Sequence, residues 1–210
     1  MSTLPHARPF RLTQSAIAVV LVVVLLVAYA YRHRAPAAMG ALPPAQVAGE
    51  NYFSPENNLE QVDAARINQA RTSIDVAMYA FTDKYLAEAL VAAARRGVAI
   101  RIYRDRQQFD DEQRNARQHL TPSTTEMVRA EPKVEVRVKG KGDLMHLKAY
   151  LIDGVLLRDG SANWSPGGLK RQDNNIRFTT DASQVKAFRQ TFEDMWLRDG
   201  NQEIEYQPPR

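Results

Sequence analysis

The sequence predicts an α/β domain: a mixed β-sheet flanked by helices, a single domain preceded by an N-terminal hydrophobic segment. Three observations carry this. Residues 73–81 and 98–103 are short runs rich in β-forming residues, and a helical pattern lies between them. Residues 134–138 (VEVRV) alternate cleanly between apolar and polar. Residues 145–152, a tight Asp153-Gly154 turn and residues 155–158 read as a hairpin.

The elements follow in order. Residues 52–55 read as a short strand ending in a turn. In residues 57–71, Leu59, Val62, Ala65, Ile67 and Ala70 recur at roughly helical spacing. The near-continuous apolarity of 73–81 suits a buried strand. Thr82 or Asp83 can cap the next helix, which runs to Arg96 and stops at Gly97. Strand, helix and strand then form a βαβ unit, right-handed by default. Residues 104–130 are polar and weakly periodic, a partly helical excursion. Residues 176–180 give a further strand, and 182–197 a closing amphipathic helix with Val185, Phe188, Phe192 and Trp196 on one stripe. Nothing repeats internally.

The N-terminus has its own character. Residues 16–31 (AIAVVLVVVLLVAYAY) are uncharged and lack Gly and Pro, with Arg8 and Arg11 before them. A signal peptide fits, because Ala28-Tyr29-Ala30 offers a small-x-small site. A membrane anchor fits as well, because Arg32-His33-Arg34 follow at once. Either one implies an exported domain, in the periplasm or cell envelope, or held at the inner membrane. The expected organisation is 1–34 signal or anchor, 35–49 an Ala/Pro-rich linker, 50–200 the catalytic domain and 201–210 a tail. The chain carries 28 basic and 24 acidic side chains, but the first 34 residues hold four arginines and no acid. The remainder is formally neutral, so any nucleic-acid surface must be a local patch. There is no cysteine, which excludes disulfides and thiolate metal sites.

The informative stretch is residues 146–163, HLKAYLIDGVLLRDGSAN. Side chains at i and i+2 of a strand share a face, so His146 and Lys148 project together. The turn sends the chain back, and Gly160-Ser161 can place Asn163 beside the strand's start. An imidazole, an ammonium and a carboxamide then converge. The ammonium and amide donors suit the non-bridging oxygens of a phosphodiester, and the imidazole can attack phosphorus. An isolated histidine in such a strand would more often be a satisfied core residue; its companions at fixed spacing turn the reading toward catalysis.

This spacing, H-x-K-x4-D-x6-G-S-x-N, resembles the signature of the phospholipase D superfamily at all six positions: His146, Lys148, Asp153, Gly160, Ser161 and Asn163. The likeness extends over residues 52–196 and resembles in particular the small single-motif bacterial endonucleases of the Nuc branch. The pieces FSP, SIDVAMYAFT and ALVAAARRGVAIRI carry it, with Phe188, Phe192 and Trp196. It implies the phospholipase D-like fold and a metal-independent, non-specific endonuclease working through a phosphohistidine on His146, with no cofactor. Lys148 and Asn163 would hold the phosphate, and Ser161 would add a hydrogen bond. Asp153 would be structural, tying the hairpin. Two chemical roles need two histidines, and none of His6, His33 and His119 has a lysine two residues on. The resemblance answers with a homodimer whose two motifs meet in one composite site.

One position departs from the pattern. Where the Nuc branch has a glutamate that orients the histidine, this chain has Asn174, with Asp173 the nearest carboxylate. Either could take the role. Nucleic acid, DNA or RNA, is the leading substrate expectation. Phospholipid is the alternative, through lipid hydrolysis or phosphatidyl transfer, and an inactive envelope-bound binding module is a third reading. Lys139 and Lys141, and Lys170-Arg171, fit phosphate contacts or solvated surface equally, while Arg95-Arg96 reads first as a helix end that complements the dipole and second as a nucleic-acid contact. Trp164 fits a base-stacking platform or a wedge against the core.

Overall fold

Alternation along the central strands divides the core in two. In β2 (Ser73–Met78), Ile74, Val76 and Met78 pack on one side and Ala77 on the other. The first side is covered by α1 (Leu59–Gln69), α2 (Lys84–Arg95), the short α4 (Thr124–Val128) and α5 (Pro166–Lys170), through Leu59, Ile67, Leu86, Leu90, Val128 and Leu169. The second is covered by α6 (Ala182–Trp196), whose Val185, Phe188, Phe192, Met195 and Trp196 form the expected stripe. The computed structural model describes residues 49–208. The signal or anchor segment (1–34) and all but the last residue of the 35–49 linker lie outside the described residues.

The remaining strands are β1 (Gly49–Ser54), β3 (Ala99–Arg104), β4 (Val134–Val138), β5 (Lys148–Ile152), β6 (Leu156–Gly160), β7 (Asn174–Thr179) and β8 (Gln202–Ile204). They form one eight-stranded sheet in the order β1-β7-β6-β5-β2-β3-β4-β8. The neighbours β2, β3 and β4 run parallel, and every other pairing is antiparallel, so the sheet is mixed. Residues 202–204, read from the sequence as tail, instead form the edge strand β8 against β4. Three residues carry too little alternation to announce a strand.

Helix ends follow their caps. Asn58 caps α1 by accepting from the Gln61 amide, and Asp83, not Thr82, caps α2 by accepting from Leu86. Gly97 leaves α2 with φ +101°, the left-handed stop expected of it. The polar excursion contains a full helix, α3 (Arg106–His119), capped by Asp105. Only Glu112 of α3 is buried, which explains why no apolar period revealed it.

Candidate active site

β5 pairs with β2 from Met78↔Lys148 to Ile74↔Ile152. The ladder therefore starts at Lys148, and His146 lies just before the strand rather than in it. Two hydrogen bonds hold that approach: Tyr79 N–H donates to the Leu147 carbonyl at 2.8 Å, and Met145 N–H donates to Asp105 Oδ2 at 2.9 Å. The His146 side chain stays exposed while Lys148 is buried. Lys148 Nζ donates to the His146 carbonyl at 2.9 Å. Burial, and then the charge of Arg158, pull the Lys148 ammonium below its ordinary pKa.

β6 returns antiparallel to β5 and ends at Gly160, whose φ is +146°. A Cβ there would sit 2.3 Å from the Asn175 carbonyl oxygen, so only glycine lets β6 pass β7 this closely. Beyond it, Ser161 N–H donates to the Asn175 carbonyl at 3.0 Å. Asn163 Oδ1 accepts from Ala80 N–H at 3.4 Å, which brings the carboxamide to the residue next to Tyr79. With its oxygen turned to the backbone, Asn163 keeps its NH2 as the donating end. Trp164 is fully buried and packs edge-on to Phe81 at 5.1 Å, so it wedges the loop and cannot stack on a base.

The supporting residues divide. Asp153 sits at the far end of β5, where its carboxylate accepts from Thr72 N–H at 2.7 Å and from Arg71 and Ser73 N–H, both at 3.1 Å. Burial pushes its pKa up, but these donors outweigh it and hold the carboxyl below the usual range. It ties the hairpin to the start of β2. Asn174 Oδ1 accepts from Ser161 Oγ at 2.9 Å, and its Nδ2 donates to the Gly168 carbonyl at 3.0 Å. Asp173 is exposed. Among the described residues, neither Asp173 nor Asn174 hydrogen-bonds His146; Asn174 braces Ser161 instead. The described residues contain one further histidine, His119, which lines a pocket with Lys84 and Asn115 away from the motif.

Residues 64–196 match the family model described as cardiolipin synthase, PLD-like domain. The chain belongs to the phospholipase D superfamily. Membership makes phosphodiesterase chemistry the class of its reaction. The phospholipase D-like chain is 30% identical to the mitochondrial cardiolipin hydrolase of Drosophila melanogaster over 184 residues, covering 78% of this chain and 68% of that protein. It is 28% identical to the Xenopus laevis protein of the same name, covering 60% of this chain and 56% of that one. It thus spans little more than half the length of several curated relatives. Among solved structures, Nuc from Salmonella typhimurium, a phospholipase D family member, aligns with TM-score 0.62 at 21% identity, covering 75% of this chain and 98% of that one. NucT from Helicobacter pylori aligns with TM-score 0.65 at 22% identity, covering 74% and 98%. These two likenesses establish the phospholipase D-like fold.

Within that fold, two groups went unread in the sequence. Asp63 in α1 and Arg158 in β6 form an ion pair at 3.0 Å with both side chains fully buried. Arg158 Nη1 also donates to the carbonyls of Lys148 at 2.8 Å and Ala162 at 3.3 Å. Asp63 accepts from Tyr150 Oη at 3.0 Å and Trp164 Nε1 at 2.9 Å. One buried pair thereby joins the strand of Lys148 to the loop of Asn163. The other is Tyr79, whose ring meets His146 at 4.5 Å between centroids. Sequence signals for both were faint: an acid in a weakly amphipathic helix, and a tyrosine closing an apolar run.

Proposed function

We propose that the chain is a metal-independent, non-specific endonuclease. His146 attacks phosphorus, forming a P–N bond as the P–O bond to the leaving oxygen breaks. A second histidine protonates that oxygen, then takes a proton from the water that hydrolyses the phosphohistidine. Lys148 and the Asn163 amide neutralise the non-bridging oxygens. The observation that carries the reading is the open placement of His146: the residue is exposed, and the buried Lys148 donates to its carbonyl at 2.9 Å. A phosphodiester inside a long polymer can cross such a site without threading. Exposed Lys141, on the loop just before, offers the local cation that a neutral domain needs.

Among the described residues His119 lies apart from the motif, and the resemblance to the Nuc branch supports a second copy of His146, from a partner subunit, in that role. A twofold homodimer with its axis beside the motif supplies it. The composition of residues 1–34 supports export to the cell envelope, with a membrane attachment wherever that segment is retained.

A specific observation favours phospholipid as the second reading. Leu144 and Leu147, which flank His146, are 52% and 39% exposed, an apolar border suited to a lipid surface. The relatives named cardiolipin hydrolase point the same way. The test presents plasmid DNA, RNA and phospholipid vesicles in parallel, in EDTA, with His146→Ala as control. Cleavage of nucleic acid by the parent protein alone supports the proposal. Turnover of lipid alone replaces it with the second reading. Silence on all three favours an inactive binding module.

A further inference from the structure

Exposure leaves the His146 imidazole a problem. A nucleophile must be held within a narrow range of orientations, and neither Asp173 nor Asn174 holds this one. What touches the ring is Tyr79, the residue that follows β2. The two rings lie 4.5 Å apart between centroids at an interplanar angle of 62°, an edge-to-face arrangement. The same tyrosine ring carries the Lys148 ammonium over its face, with Nζ 4.9 Å from the centroid. Among the described residues Lys148 Nζ makes one hydrogen bond, to the His146 carbonyl, which leaves two of its protons for phosphate oxygens. One aromatic side chain thus touches both the nucleophile and the lysine that holds the phosphate.

Tyr79 is itself held. Gln108 Nε2, in the first turn of α3, donates to its hydroxyl at 3.3 Å. Asp105, the cap of that helix, uses one carboxylate oxygen on Gln108 N–H at 3.1 Å and the other on Met145 N–H at 2.9 Å. The start of α3 therefore grips the His146 segment twice, by the main chain at Met145 and by the side chain through Tyr79. This gives the polar stretch after β3 a place in the site.

We propose that Tyr79 is a positioning residue for the phosphodiesterase reaction: its ring orients the His146 imidazole and seats the Lys148 ammonium, and Gln108 locks that ring. The inference rests on His146 being the nucleophile, and it is indifferent to whether the diester belongs to nucleic acid or lipid. Tyr79 is only half-buried, so its replacement leaves both cores intact.

The test uses the whole protein and bis(p-nitrophenyl) phosphate, a small chromogenic diester, with kcat, KM and thermal midpoint read for each variant. Tyr79→Leu loses about 10- to 100-fold in kcat, the cost of a misoriented reacting group, with KM and thermal midpoint held. Tyr79→Phe restores the ring and recovers most of the loss. It stays about fivefold slow for the missing hydrogen bond. Gln108→Leu matches Tyr79→Phe, and combining the two adds nothing, because both break one bond. An unchanged kcat in Tyr79→Leu, a loss that phenylalanine fails to rescue, or a loss that tracks a fallen thermal midpoint each overturns the proposal. The His146→Ala control reads separately: activity surviving there removes the nucleophile assignment itself.

Discussion

Arg158 reaches the Lys148 carbonyl at 2.8 Å while its guanidinium is paired at 3.0 Å with Asp63, and no part of either side chain is exposed. Removing one partner strands a buried charge. Asp63→Leu or Arg158→Met is expected to destabilise the fold by about 3–5 kcal/mol in chemical denaturation. The double variant is expected to be milder than either single one, because it leaves no orphan. A double variant as unstable as the sum would show that the carbonyl bonds, and not the charge pair, dominate.

Lys148 is expected to set the alkaline limb of activity. Its folded-state pKa lies below the ordinary 10.5, so the ammonium is lost earlier as pH rises. The rate is expected to fall on the alkaline side with a midpoint below 10.5. Lys148→Arg should remove that limb, since a guanidinium does not titrate there. The stability sign is the reverse: an unfolded chain that binds the proton more tightly makes the fold gain stability as pH rises through this window. Lys148→Met should cost about 10²- to 10³-fold in kcat, as loss of a preorganised charge does.

Asp153 should separate stability from catalysis. Its lowered pKa means the ionised carboxylate stabilises the fold above its unfolded value of 3.8, and that contribution is lost as pH falls through the lower folded value. Asp153→Asn should cost about 1 kcal/mol, and acid unfolding is the measurement. Turnover near neutrality should hold at the parent level. A collapse of turnover with the fold intact would give Asp153 a part in the chemistry.

Gly160→Ala tests the close passage of β6 over β7. The added methyl meets the Asn175 carbonyl, a backbone atom that cannot swing aside. The expected cost is about 2 kcal/mol or more, with activity reduced further because Ser161 and Asn163 follow directly. Calorimetry and a cleavage assay on the same preparation measure both.

The sequence announced what depends on local pattern. The βαβ unit, the 134–138 strand and the α6 stripe were legible because burial imprints a period on neighbouring residues. The motif was legible because its spacing is short. Asp63 and Arg158 were not, since they meet across 95 residues and no local pattern relates an acid in one helix to a base in a later strand. His146 fell outside its expected strand because the ladder ends where β2 ends, at Met78↔Lys148. Tyr79 was hidden for a related reason: it looked like the tail of a buried run, and the structure turns it toward the site.

The outermost strand has a mechanical consequence. Among the described residues β7 is the one strand that pairs with β1, by which the chain enters the sheet, and Arg66 of α1 also reaches Glu50 on it. Its pairs run from Gly49↔Thr179 to Ser54↔Asn174. Tension applied from the N-terminus opens them singly, as a zipper, starting at Gly49↔Thr179, the end of β7 away from Asn174. The last to open is the one beside Asn174, where Ser54 Oγ is also fastened to the Gln172 carbonyl at 2.7 Å. A pull along the leading segment is thus spent on a sacrificial edge before any of it reaches the brace behind Ser161.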